Sequence, residues 1–221
     1  SGQFCVNCPE GAATLHSIQN EYGADSVIVV TIHAGELALK ENEYPGWIGL
    51  ANPIGEKLYE AVGKPSQPAA VIDRRTPALA RPDWLGEIKN SLQLSSNVFL
   101  TVEKQYDSAA RQLDVTIKAK STIDYSGNLH VWLIEDGIEA YQDYPTTHDE
   151  KYVHNNIFRT SITSDPIVGE GISLSINDEV PSEYNYSITL REDYKPENMS
   201  IVAFVDNAYG VEQTIKAKVV D

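Results

Sequence analysis

The chain has 221 residues, 32 acidic against 17 basic side chains, a formal charge of −15 and 42% hydrophobic residues. A length in this range fits one large or two small domains and buries roughly 70% of the unfolded surface, so a core needs no staples. The negative charge repels phosphate and anionic lipid and excludes nucleic-acid binding and polybasic membrane docking. Acidic residues dispersed among Val, Ile, Leu and Tyr exclude a disordered chain, and no run approaches the about 20 apolar residues of a membrane-spanning helix.

In chain order, Ala12, Ala13, Leu15, Ile18 and Tyr22 recur at helical spacing, and Gly23 follows as a stop, which predicts a helix over 9–22. The β-branched run 26–33, SVIVVTIH, is too apolar for a half-exposed strand and predicts a buried central strand covered by helices on both faces. Residues 35–49 contain Tyr44-Pro45-Gly46 and read as a loop. A second helix is expected over 53–62, with Ile54, Leu58, Ala61 and Val62 on one side, and a short strand over 69–73. A third helix, over 81–94, takes Pro82 in its first turn and turns Trp84, Leu85, Ile88 and Leu92 inward.

After Ser95 the period changes to two. Val98, Leu100 and Val102 alternate, then Leu113 to Ala119, Leu129 to Leu133, Ile172 to Ile176, Tyr184 to Leu190, Ile201 to Val205 and Ile215 to Val219. Ser126-Gly127-Asn128 and Asp136-Gly137 read as turns between the runs. Seven or eight such antiparallel strands predict an immunoglobulin-like β-sandwich. The expected domains are therefore an α/β domain over 1–94 and an all-β domain over 95–221. Charge divides unevenly between them: 7 basic and 11 acidic residues before the boundary, 10 and 21 after it.

Both cysteines fall within the first eight residues, as Cys5-Val6-Asn7-Cys8 at the start of the first predicted helix. The N-terminus of a helix presents unpaired N–H groups and positive potential, which stabilise a thiolate and lower its pKa. In that arrangement Cys5 is the nucleophile, and Cys8, a turn further in, resolves the mixed disulfide. Residues 63–74, GKPSQPAAVIDR, place Pro68 immediately before a short apolar strand. The two motifs in this order resemble the thioredoxin fold. The resemblance implies a cis proline at Pro68 facing the cysteines and, at Gln67-Pro68, backbone that pairs with a substrate strand. Three departures stand beside it: Phe4 holds the usual tryptophan position, Val6-Asn7 replaces the usual intervening pair, and the strand that should precede the motif is not in the chain, so the start reads as trimmed. Other readings of the cysteines stay open: a passive structural disulfide, half a zinc site completed by His16 and His33, and a vestigial domain that no longer turns over.

The segment 2–9 together with VWLIEDGI (131–138), YVHNNIFR (152–159) and PENMSIVAFVDN (196–207) resembles the twenty-eight-kilodalton outer-membrane protein family of Gram-negative anaerobes. The resemblance implies a thioredoxin-like half followed by a β-sandwich half, in exported lipoproteins of the outer membrane or cell surface, some described as adhesins or receptors. A lipid anchor upstream of Ser1 accords with it.

Within 152–159, a strand would put Tyr152, His154, Asn156 and Phe158 on one face, with Asn155, Ile157 and Arg159 on the other. His154, Asn155, Asn156 and Arg159 could form a polar binding cluster, although bonding to neighbouring backbone is the simpler expectation. His130 and His148 are expected to be solvated, Trp132 to be core, and Trp47 to flank the cysteines. No calcium loop, G-x-S-x-G, H-E-x-x-H or P-loop is present, and the reading requires no metal and no organic cofactor. Two functions follow from the sequence: dithiol–disulfide exchange on a protein substrate, or a surface module binding a protein or glycan partner through the sandwich. The oligomeric state is not legible in it.

Overall fold

A computed structural model describes residues 1–221. The elements in chain order are α1 (Cys8–Tyr22), α2 (Pro53–Ala61), β1 (Ala69–Ala70), β2 (Leu79–Ala80) and α3 (Trp84–Ser91), then β3 (Val98–Asp107), β4 (Gln112–Ser121), β5 (Tyr125–Glu135), β6 (Ile138–Asp143), β7 (His148–His154), β8 (Ile157–Ser161), β9 (Glu170–Leu174), β10 (Ser182–Thr189), β11 (Met199–Asn207) and β12 (Gly210–Lys218). They form two compact units. The first comprises Ser1–Ile72, Thr76–Gln93 and Asp136–Arg159; the second comprises Asp73–Arg75, Leu94–Glu135 and Thr160–Asp221. The all-β domain expected over 95–221 is therefore interrupted: β6 and β7 belong with the N-terminal residues.

In the first unit α1 starts with Pro9 in its opening turn and ends where Gly23 N–H bonds Gln19 O at 2.8 Å. Its Ile18 packs with Val27, Trp84 and Ile88 in a small core against which Leu15, Tyr22 and Ile72 lie. Asn52 caps α2 by accepting from the N–H groups of Ile54 and Gly55 at 3.1 and 2.9 Å, an interaction worth about 1 kcal/mol. A second cluster joins Leu50, Ile138, Ala140 and Ile157. β6 and β7 form an antiparallel hairpin from Ile138 opposite His154 to Asp143 opposite His148, with an irregularity between Ala140 and Gln142.

Several expectations need correction here. Residues 26–33 do not form a strand; only Thr31 pairs, in parallel, with Ile157. Thr31 N–H bonds Asn156 O at 2.7 Å and Phe158 N–H bonds Thr31 O at 2.9 Å. Asn156, at φ 57°, bends the partner chain out of extended geometry, so the ladder cannot continue. The same turn divides 152–159 between β7 and β8, which ends the single-strand face pattern expected for that segment. The strand over 69–73 stops at Ala70, and a left-handed pair, Asp73 at φ 47° and Arg74 at φ 53°, reverses the chain towards β2. The helix over 81–94 is a 3₁₀ turn, Arg81–Asp83, followed by the α-helix to Ser91.

The second unit is a β-sandwich. One antiparallel sheet has the order β10-β4-β3, the other β12-β11-β5-β8 with β9 also pairing β5. Alternate residues of both sheets, among them Val98, Leu113, Val115, Ile117, Val131, Leu133, Ile201 and Val205, fill one continuous core. Burying each such side chain is worth about 1.5–3 kcal/mol. Ser126-Gly127-Asn128 is not a turn but lies inside β5. Gly127 is needed there because a Cβ would overlap the Asp206 carbonyl and the Tyr125 ring.

β5 and β11 are buried on their outer faces as well. His130 is fully buried, correcting the expectation of solvation, and stacks on Phe204 at 4.4 Å between ring centroids. Trp132 is buried as expected and meets Phe204 edge-on. Arg74 closes this layer, donating to Asp206 Oδ2 and Ile167 O, both at 2.8 Å, with its guanidinium 5.1 Å from the Phe204 ring. Burial lowers the His130 pKa, with Asp206 pulling it back up. His148 is exposed, as expected.

Candidate functional site

Cys5 and Cys8 are joined in a disulfide that spans the start of α1, with Cα atoms 5.3 Å apart. The loop closes tightly: Cys8 N–H bonds Cys5 O at 3.0 Å, and Gly11 N–H bonds Asn7 O at 3.3 Å. Asn7 occupies the cap position without a side-chain hydrogen bond, so the first N–H groups of α1 keep the positive end of the helix at the cysteines. Val6 and Asn7 between them are exposed, whereas Cys5 and Cys8 themselves are only 3% and 5% exposed.

The segment before the helix is held from three sides. The fully buried Gln3 side chain accepts from Leu50 N–H at 3.1 Å and donates to Ile48 O at 2.9 Å and Tyr141 O at 3.3 Å. Phe4 N–H bonds Leu37 O at 2.8 Å, and Asp143 N–H bonds Gln3 O at 2.7 Å. Buried Gln142, on β6, donates to Cys5 O at 3.1 Å and to Asp143 O at 3.0 Å. The β6–β7 hairpin therefore supplies a direct partner of the first cysteine.

The Gln67-Pro68 bond is cis, and Pro68 packs on α1. A Cβ on Gly11 would come within 3.1 Å of Pro68 Cβ and 3.2 Å of Trp84 Cη2, so glycine at this helix position permits the close approach of both. Gln67 Nε2 donates to Ala34 O at 2.7 Å, while its Oε1 is buried with no hydrogen-bond partner. The four residues expected at the site thus lie on elements that meet around α1: Cys5 and Cys8 at its start, Pro68 against its first turns, and Gln67 bonded beside His33.

His33 and His154, both buried, meet edge-on at 5.2 Å. Burial drives the His33 pKa well down, with His154 adding to the effect; burial likewise lowers His154, to about 4. Both are neutral imidazoles at physiological pH, and His33 Nδ1 has no hydrogen-bond partner. His16 is elsewhere, on the exposed side of α1 beside Asn20. No three His, Cys, Asp or Glu side chains stand together as a metal centre. The expected polar cluster at 154–159 bonds locally: Asn155 Oδ1 accepts from Gly137 N–H at 2.9 Å, and Asn156 N–H donates to Asp136 Oδ1 at 2.7 Å.

Trp47 is connected to the cysteine segment through other rings. It lies 4.4 Å from Tyr141, whose ring is 5.9 Å from Phe4. A shallow surface depression of about 500 Å³, lined by Asp124, Ser126, Ser175 and Asp178, opens widely on the second unit and holds none of these residues.

The model of the family described as "Outer membrane protein Omp28" matches residues 55–221. HBP35 of Porphyromonas gingivalis has a similar structure, with a TM-score of 0.73 at 15% identity over 99% of this chain and 73% of that one; the likeness shows a shared fold. A domain of the outer membrane lipoprotein Omp28 from the same organism is similar at 19% identity over 56% of this chain and 96% of that one, with a TM-score of 0.39. No curated protein matches the sequence.

Proposed function

The chain belongs to the Omp28 outer membrane protein family and is a protein of the outer membrane or cell surface, and from that premise we propose that its first unit is a thioredoxin-like domain performing thiol–disulfide exchange on envelope or extracellular proteins. The observation that carries this reading is the Cys5–Cys8 disulfide closing onto the start of α1, with Pro68 against Gly11 of the same helix. As an oxidant, the disulfide is attacked at Cys5 Sγ by a substrate thiolate. The Cys5–Cys8 bond breaks, Cys8 leaves as thiolate, and a mixed disulfide forms. A second substrate thiolate then attacks its own half of that bond and releases Cys5, so the substrate loses two electrons and two protons and the pair becomes a dithiol. In the reverse direction Cys5 attacks a substrate disulfide and Cys8 resolves. The positive end of α1 stabilises the Cys5 thiolate in both directions. The backbone at Gln67 and Pro68 pairs with the substrate strand.

A second reading, a surface binding protein whose disulfide is passive, is favoured by the burial of Cys5 and the hold of Gln142 on its carbonyl. One assay separates the two. The redox reading expects the chain to exchange a model disulfide, Cys5→Ser to abolish exchange, and Cys8→Ser to trap a mixed disulfide. A chain inert towards model disulfides, with Cys5→Ser unchanged in every activity, leaves the binding reading alone.

A further inference from the structure

Beside the disulfide lies a patch of exposed apolar and aromatic side chains that the exchange chemistry does not use. Val6 sits between the cysteines, Leu37 follows from the carbonyl that Phe4 N–H bonds, and Ile48 from the carbonyl that Gln3 Nε2 bonds. Trp47, 42% exposed, lies tilted against Tyr141 at 4.4 Å and Tyr44 at 5.9 Å, and His148 stacks on Tyr141 at 5.3 Å. A rigid indole left in water between two tyrosines is the composition of a docking surface and an unfavourable way to fill a solvated loop. The surrounding charge has one dominant sign. Asp143 accepts a 2.6 Å hydrogen bond from Tyr141, and Glu150 also acts on that phenol. Residues 36–50 add Glu36, Glu41 and Glu43 against the single Lys40.

We propose that this patch, built around Trp47, Tyr44 and Tyr141 beside Cys5, docks an extended polypeptide segment that carries Lys or Arg next to its cysteine. The argument for that occupant is charge complementarity. Cations are attracted both to the exposed rings of Trp47 and Tyr44 and to the flanking carboxylates, whereas an acidic segment or a phosphate is repelled. Position supplies the rest: a segment lying across Trp47 and Tyr141 is led by Phe4 to Cys5. The inference rests on the exchange reading above and names the substrate class of that site.

The test uses the reduced full chain and three chromogenic mixed disulfides of thionitrobenzoate: a peptide with Lys flanking its cysteine, the same peptide with Glu, and 2-mercaptoethanol. Each rate is divided by that of the same probe with dithiothreitol, which cancels intrinsic reactivity. The Lys peptide is expected to exceed the Glu peptide by about tenfold at low salt and by about twofold at 1 M salt, where screening is nearly complete. Trp47→Ala lowers the ratio by about fivefold, the loss of a cation–π contact of about 1 kcal/mol, and Trp47→Phe retains most of it. Equal rates for the two peptides overturn the proposal. So does a Lys preference untouched by Trp47→Ala, which assigns it to the net charge of the chain, or displacement of the Lys peptide by a neutral oligosaccharide, which assigns the patch to glycan. Failure of all three probes, 2-mercaptoethanol included, instead removes the exchange reading and this inference with it.

Discussion

The two units solve the same problem in opposite ways. The second buries one continuous core between two sheets whose strands alternate, so its order follows from repeated pairing and from apolar area. The first has smaller apolar clusters and few strand pairs, and the buried amides of Gln3 and Gln142, with the half-buried amide of Asn52, tie its segments together over long sequence distances. Apolar burial is tolerant of detail, whereas a buried amide needs each partner in place. The irregular unit thereby depends more on particular partners, and it is the one that holds the cysteines.

The comparison is open to direct test. Ile117→Ala, in the centre of the sandwich core, should cost about 3–4 kcal/mol in denaturant unfolding, because a cavity is left in a well-packed core. Gln142→Ala should cost about 2 kcal/mol, leaving the carbonyls of Cys5 and Asp143 without that donor, and should also accelerate reduction of the Cys5–Cys8 disulfide. Unchanged reduction kinetics would show that the hairpin does not guard the site.

Acidification should separate the units. His154 titrates at about 4 in the folded chain against 6.5 for an unperturbed imidazole. The unfolded chain therefore takes up the proton first as pH falls. Stability is complete above pH 6.5 and declines between 6.5 and 4, by about 2 kcal/mol at pH 5 from this group, with His33 acting in the same direction. In the second unit Asp206 opposes the lowering of His130. Amide hydrogen exchange at pH 5 and pH 7 should accordingly show the larger loss of protection in the first unit. The smallest effect is expected from Arg81→Gln, which removes an exposed ion pair with Glu10 and should change stability by under about 0.5 kcal/mol.

Much of the second unit is legible in the sequence because its inward positions are apolar every second residue, as in Leu113, Val115 and Ile117. β6 and β7 escape notice for the reverse reason. The inward positions of β6 are Ile138, Ala140 and Gln142, and β7 exposes His148, Asp149, Glu150 and Lys151 in succession, so no alternation marks either strand. Gln142 reaches Cys5 across 137 residues, a distance no local pattern spans. The run 26–33 misleads because apolar content records burial and not the presence of a partner ladder. His130 misleads likewise, since its neighbours Arg74 and Asp206 lie 56 and 76 residues away. At the site itself the C-x-x-C spacing and the proline before an apolar pair were readable, while the enclosure of the cysteines was not.

The central proposal, a reactive dithiol at the start of α1, is tested most directly by the pH dependence of iodoacetamide alkylation in the reduced chain, with Cys8→Ser isolating Cys5 and Cys5→Ser isolating Cys8. The account predicts that Cys5 titrates below the about 8.5 of a free thiol, and that Cys8 reacts far more slowly. A Cys5 that titrates at or above that value, or that resists alkylation until the chain unfolds, contradicts it.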